Sequence, residues 1–185
     1  MSLKSETLLN ELIELTQRNI DAAKLFTTYS IEQLNWKENP KSWSVLECIE
    51  HLNRYSDFYL PEISQRIQES KSIPAELFKS NWFGRYFSKS VSYKENLNKM
   101  NTFKSMNPLN SELNISTIEK FITQQHELLK LIDKAKAVNL DKTRTAISIS
   151  KLIKLKLGDT LRVLIYHNER HIKQAESVLK TNKNG

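Results

Sequence analysis

The sequence holds very little cysteine, glycine and proline: one, three and four residues, respectively, among 185. A single cysteine excludes an internal disulfide, so packing rather than cross-linking must hold the fold together. The scarcity of glycine and proline disfavours architectures rich in β-turns, while long runs of leucine, isoleucine, lysine, glutamate and glutamine favour helices. We therefore predict an all-α fold in which residues 1–185 form one domain.

Long apolar runs are also missing, since no stretch of eighteen apolar residues and no apolar signal-peptide segment occurs. We expect a soluble, cytoplasmic protein without a membrane partner. The net charge is +7, and basic residues concentrate only between Lys134 and Lys156. Because no nucleic-acid-binding motif or aromatic platform accompanies this run, a solvated basic face is favoured over specific nucleic-acid binding.

Apolar residues recur at helical spacing in four long segments. We predict helices over residues 6–29, 44–70, 116–138 and 161–179. Ser44 with Glu47, and Ser116 with Glu119, have the spacing of capping boxes that begin the second and third helices. The predicted core stripe of the second helix is Val45, Ile49, Leu52, Ser56, Tyr59, Ile63 and Ile67. That of the fourth helix is Leu161, Leu164, Ile165, Asn168, Ile172, Ala175 and Leu179.

Two segments lie outside these helices. Residues 71–113 form a long connection between the second and third helices, and its aromatic part, residues 77–87, is expected to cover one end or side of the helices. Residues 145–156 form a short apolar run that fits an extended segment packed along the helices. Gly158 is expected to end this extended segment, after which Asp159 or Thr160 would cap the fourth helix.

Histidines supply the candidate functional site. His167 and His171 are four residues apart on the fourth predicted helix, so both imidazoles can face one small volume. His51 lies on the flank of the second helix, although a partly buried histidine bonded to a neighbour would also fit there. Together, His51, His167 and His171 would leave a coordination position open, as in a catalytic zinc or nickel site. The fourth histidine, His126, points away from its own helix's core stripe and is interpreted as a surface residue.

Two other features bear on this site. His167 and His171 have the spacing of a zincin protease motif, but Asn168 stands where that motif needs a glutamate, so the protease interpretation fails. Cys48 lies one turn before His51 and could approach the metal, but a buried structural thiol is the favoured interpretation. Tyr55, Gln174 or a backbone carbonyl is expected to bond the second nitrogen of a ligand imidazole.

The sequence resembles the DinB superfamily, also called the DinB/YfiT-like family, over nearly its whole length. The similarity is carried by Trp43-Ser44-Val45-Leu46-Glu47-Cys48-Ile49-Glu50-His51-Leu52, Gly158-Asp159-Thr160-Leu161 and His167-Asn168-Glu169-Arg170-His171-Ile172-Lys173-Gln174. The resemblance implies a four-helix bundle with a long, partly structured connection between helices 2 and 3. It also implies a divalent metal, zinc or nickel, bound by His51, His167 and His171.

The resemblance further implies a class of chemistry, since characterised relatives include S-transferases and isomerases that use low-molecular-weight thiols. Our first hypothesis is a metal-dependent enzyme, either a thiol-dependent S-transferase or a hydrolase, acting on a small-molecule substrate. The alternative is a non-catalytic helical-bundle protein that binds metal or mediates an interaction, and a nucleic-acid binder is the weakest hypothesis. A homodimer is compatible with the first two.

Overall fold

The computed structural model describes residues 2–93 and 102–183, leaving aside the side chains of residues 151 and 183, and is mostly helical with two small sheets. The helices are α1 (Ser5–Phe26), α2 (Ile31–Asn35), α3 (Val45–Glu69), α4 (Trp82–Val91), α5 (Ser116–Ala135) and α6 (Leu157–Lys183), with a 3₁₀ turn at Lys104–Met106. The strands are β1 (Ser2–Lys4), β2 (Leu77–Lys79), β3 (Arg144–Ile147) and β4 (Ser150–Lys156). Strand β1 pairs antiparallel with β2, and β3 pairs antiparallel with β4.

The four long helices, α1, α3, α5 and α6, build the core. Helices α1 and α3 each pack against both α5 and α6. The core has two layers, and each long helix contributes fully or almost fully buried residues to both of them. One layer contains Leu12, Ile63, Leu128 and Ile165, and the other contains Ala23, Ile49, Phe121 and Ile172.

The predicted stripes of the second and fourth helices are confirmed, because all fourteen of their residues are buried. The capping box of Ser44 and Glu47 also forms: the Ser44 hydroxyl accepts from the Glu47 N–H, and the Glu47 carboxylate accepts from the Ser44 N–H. The second capping box is wrong. Ser116 already lies inside α5, and its N–H and hydroxyl both donate to the side-chain oxygen of Asn114, which takes over the role of acceptor.

The start of the last helix also differs from the prediction, since α6 begins at Leu157 and includes Gly158. Gly158 allows a neighbouring side chain to pack closely against the helix. A Cβ at Gly158 would lie only 2.6 Å from an aromatic carbon of Phe78, so the absent side chain lets the Phe78 ring pack against the first turn of α6. Helix propensity alone could not reveal this use of glycine.

Residues 145–156 are extended, as predicted, and form most of the β3–β4 hairpin. The hairpin packs along α3, where the Ala146 N–H donates to the Glu62 carboxylate and the Ser148 N–H donates to the Tyr59 hydroxyl. The two small sheets are therefore additions to a mostly helical fold. Among residues 2–93 and 102–183, every helix lacks a stretch long and apolar enough to cross a bilayer.

Helix α4 carries much of the aromatic segment and covers one side of the long helices, as predicted. Its Phe83, Phe87 and Val91 pack against a small cluster made by Ile147, Leu155 and Val163. Gly84 of α4 sits directly on the buried carboxylate of Asp159 in α6, and burial raises the pKa of that carboxyl.

We expect Gly84→Ala to lower the stability of the protein by about 1–3 kcal/mol, because the new methyl group would overlap the Asp159 carboxylate. The measurement is the free energy of unfolding by urea. Lys89→Ala, on the exposed face of the same helix, is the control and should change it by no more than about 0.5 kcal/mol. Helix propensity alone would make Gly84→Ala about 1 kcal/mol more stable than the original. A variant as stable as the original, or more stable, would therefore show that α4 does not pack this closely on α6.

Candidate metal centre

Three histidines come together where α3 packs against α6. His51 lies on α3, and His167 and His171 lie one turn apart on α6. The His51 and His167 Nε2 atoms are 3.2 Å apart, and one candidate ligand nitrogen from each of the three rings lies within 4.8 Å of the other two. The structure thus brings together the three residues singled out in the sequence. His126 is exposed on α5, as expected.

Hydrogen bonds fix the orientation of two of these rings. The Met106 carbonyl oxygen lies 2.7 Å from His51 Nδ1, and the Gln174 side-chain oxygen lies 2.8 Å from His171 Nδ1. Because a carbonyl oxygen can only accept, each Nδ1 carries the proton, and in the neutral ring the Nε2 lone pair stays free. Gln174 and a backbone carbonyl were two of the three predicted partners. Tyr55, the third, contacts the His51 and His167 rings with its own ring.

This arrangement fits a divalent metal ion. Two imidazole nitrogens bound to one tetrahedral ion at about 2.1 Å would be about 3.4 Å apart, close to the observed 3.2 Å between His51 and His167. Orientation of ligand histidines by hydrogen bonds from Nδ1 is also typical of metal sites. The three histidines are therefore placed to bind a metal ion.

The electrostatics of the cluster keep its rings neutral at pH 7. Burial lowers the pKa of His51 to about 4 and that of His171 to about 3. Burial also lowers the pKa of His167 well below its ordinary value, with a smaller contribution from the charge that His171 would carry. Neutral imidazole is the form that binds a metal, so no proton has to leave the cluster at neutral pH before an ion enters.

Cys48 lies outside the cluster, as the favoured interpretation held. Its side chain is fully buried in the apolar core beside Ala23 and Ile49, and burial raises the pKa of the thiol. Among the described residues, the group that meets the geometry of a metal site consists of His51, His167 and His171.

Trp43, the residue before the N-cap of α3, is another neighbour of the site. Its ring centroid lies 4.7 Å from that of His51 and 5.7 Å from that of His171. Tyr55 lies on the other side, with its ring centroid 4.7 Å from that of His167. Trp43 lies two turns before His51 in the chain, a spacing that could have placed it near the site.

A cavity of about 990 Å³ opens onto the three histidines. One part of its wall is apolar and is formed by Phe87, Val91, Ile147 and Val163. The other part carries polar groups, among them Asn39, Ser42, Gln174 and Ser177. Part of the aromatic segment therefore lines the cavity as well as covering the helices. The volume is sufficient for a small molecule.

Two polar residues of α3, Glu47 and Arg54, bind the segment that carries the Met106 carbonyl. Glu47, one turn before His51, accepts at 2.6 Å from the Asn110 N–H and at 2.6 Å from the Lys37 ammonium. Arg54, one turn after His51, donates at 2.8 Å to the Asn107 carbonyl. Two residues that follow Met106, Asn107 and Asn110, are thus tied to the helix that carries His51, which helps to hold the Met106 carbonyl against Nδ1.

The Glu47 carboxylate is almost completely buried, with bonds to both of its oxygens. We expect Glu47→Gln to destabilise the protein by about 1–3 kcal/mol, because one acceptor oxygen becomes an amide donor that faces other donors. Hydrogen exchange of the Asn110 amide should also become faster. The measurements are urea unfolding and amide exchange by nuclear magnetic resonance.

Glu69→Gln removes the same charge from an exposed position at the end of the same helix and is the control. It should leave both quantities nearly unchanged. Equal effects of the two substitutions would mean that Glu47 acts through overall charge and does not hold the connection to α3.

Comparison with known proteins gives a match at the level of the family. The model of the DinB superfamily matches residues 12–175, which include all three clustered histidines. Searches of curated proteins and of solved structures found no match to the chain. The match covers nearly the whole sequence and agrees with the resemblance found in its motifs. The chain belongs to the DinB superfamily.

Proposed function

We propose that this protein is a metal-dependent enzyme in which His51, His167 and His171 bind a divalent ion, zinc or nickel. Its reaction would be thiol-dependent S-transfer, or hydrolysis, on a small molecule. The observation that carries the proposal is the convergence of three neutral imidazoles on the wall of a large cavity. We also propose that the four long helices correspond to the four-helix bundle expected for the family.

The ligand set favours a catalytic over a purely structural ion. Structural zinc sites are usually closed by four protein ligands, whereas three histidines leave a position for water or substrate. All three rings line the cavity, so such a position is accessible to a small molecule. A bound divalent ion supplies positive charge that lowers the pKa of a water or thiol held beside it.

The chain's own groups would position the ligands and the substrate. The Met106 carbonyl and Gln174 hold the His51 and His171 rings in the tautomer that leaves Nε2 free. Trp43 packs on the His51 ring and Tyr55 on the His167 ring. The cavity of about 990 Å³ could accommodate a low-molecular-weight thiol together with a second small substrate. The assignment of a thiol rests on the family resemblance.

Metal binding provides the first test. His171→Ala removes one of three protein ligands, so zinc or nickel content after reconstitution should fall from about one ion per chain to a small fraction. His126→Ala, which removes an exposed histidine from α5, should leave the content unchanged. The measurement is elemental analysis of protein that has been stripped with a chelator, reloaded and desalted.

Stability of the stripped proteins separates a ligand from a core residue. Ile165→Ala should cost about 2–5 kcal/mol through the cavity it leaves in the core, whereas His171→Ala should cost less because its ring borders an existing cavity. Loss of metal from His126→Ala, or unfolding of His171→Ala as complete as that of Ile165→Ala, would contradict the assignment.

Turnover separates the enzyme from its alternative. The loaded protein is incubated with a panel of low-molecular-weight thiols and an aromatic chloride electrophile, and with ester substrates for hydrolysis. Metal-dependent turnover that is lost in His171→Ala supports the proposal. A full complement of metal with no turnover on any substrate would favour the non-catalytic metal-binding protein instead.

A further inference from the structure

The net positive charge of the chain is concentrated in two segments. Residues 77–93 contain three basic and no acidic residues, and residues 142–157 contain five basic and no acidic residues. Their combined charge of +8 exceeds the +7 of the whole chain, so the remaining residues together carry −1. The chain is thus nearly neutral outside these segments.

The two segments adjoin each other in the fold. Phe83, Phe87 and Val91 on the inner side of α4 pack against a cluster that includes Ile147 and Leu155 of the β3–β4 hairpin. The Lys156 ammonium also donates to the Lys79 carbonyl next to α4. Asp141 pairs with Lys156. Six other basic side chains of the two segments are exposed: Lys79, Arg85, Lys89, Lys142, Arg144 and Lys154. We call this outward surface of α4 and the hairpin the basic apolar face.

Large apolar side chains are exposed on the same two elements, α4 and the hairpin. Trp82 and Tyr86, one turn apart on α4, are 73% and 65% exposed. Leu152 is 93% exposed, and it projects from an irregularity in the hairpin where the register shifts between Ala146 and Ile147. Exposed side chains of this size that occur together usually mark a surface that is covered by something else.

We propose that the basic apolar face binds to the surface of an anionic lipid bilayer. Basic side chains are attracted to anionic headgroups, Trp and Tyr favour the interface between headgroups and acyl chains, and exposed aliphatic residues gain by entering the apolar region. The proposal revises the expectation of no membrane partner, which considered only segments that span a bilayer.

A nucleic acid would also be attracted by this charge but explains less of the face. Its phosphates pair with basic side chains and its bases stack on aromatic rings. Neither contact uses the exposed aliphatic residues of the hairpin, such as Leu152 and Ile153, which a bilayer would bury. The cavity wall formed by Phe87 and Ile147 belongs to the inner side of the same two elements, so binding would bring the cavity close to the lipid.

The test uses the full chain and lipid vesicles. Binding to vesicles of phosphatidylcholine with 30% phosphatidylserine should be strong at low salt and should weaken at 0.5 M salt, and vesicles of phosphatidylcholine alone should bind far less. Lys79→Gln, Lys89→Gln and Lys154→Gln combined should weaken binding on the order of 100-fold, at about fivefold for each basic residue. Trp82→Ala with Leu152→Ser should weaken it at least tenfold without a change in charge.

A matched control distinguishes the face from overall charge. Lys130→Gln, Lys134→Gln and Lys180→Gln combined remove three exposed lysines from α5 and α6 and give the same net charge of +4 as the first triple variant. This control should bind vesicles as the unsubstituted protein does. Circular dichroism melting checks that all variants remain folded, as expected for exposed positions.

Direct contact is read from quenching of tryptophan fluorescence by brominated lipids, which should occur in the unsubstituted protein and be largely lost in Trp82→Phe. Equal weakening by the control triple variant, or quenching unchanged in Trp82→Phe, would overturn the proposal. It would equally be overturned if the protein bound single-stranded or duplex DNA through these residues while anionic vesicles gave no more binding than neutral ones.

Discussion

Helices α3 and α6 pack against each other along one side of the core, and this contact sets the geometry of the whole candidate site. Ile49 and Ile172 lie in the same buried layer, so the α3 and α6 backbones are held at a fixed separation near the histidines. His51 on one helix can then come within 3.2 Å of His167 on the other. A change of one ångström in this packing would alter the distances from His51 to His167 and His171, on which a shared metal ion depends.

Burying three histidine rings costs free energy unless their nitrogen atoms have hydrogen-bond partners. Burial strongly disfavours charged forms of the three rings, and each buried nitrogen needs a partner or an ion. The Met106 carbonyl and Gln174 provide such partners on the outer side of His51 and His171, which leaves the inner nitrogens to face one another. A metal ion would satisfy the inner nitrogens together, and this offers a physical reason for the clustering of three neutral imidazoles.

The long connection between α3 and α5 contributes to both sides of the molecule. Near the site, Glu47 and Arg54 hold the segment around Met106 to α3, and on the far side of the cavity α4 supplies Phe87 to the wall. The outer surface of α4 carries basic and aromatic residues that the core does not require. One connection therefore shapes the candidate site and presents the surface that we propose to meet a membrane.

The sequence by itself determined the long helices, their buried stripes, the capping box at Ser44 and the identity of the clustered histidines. These features depend on local spacing: helical periodicity fixes which face is apolar, and four-residue spacing places His167 above His171. The flank position of His51 on its own predicted helix first linked it to this pair, and the family motifs imply the same set. The capping box expected at Ser116 failed because Asn114 competes for the same helix end.

Only the tertiary structure decided the features that join distant parts of the chain. Gly158 was expected to end the extended segment before α6 rather than to lie inside the helix, because its sequence neighbours do not reveal that the Phe78 ring packs where its side chain would be. The Met106 carbonyl could not be singled out, since backbone groups look alike in sequence and its position depends on bonds made by Glu47, 63 residues away from Asn110. Local sequence patterns determine the helices and strands, whereas contacts between residues that are tens of positions apart depend on how those helices and strands pack.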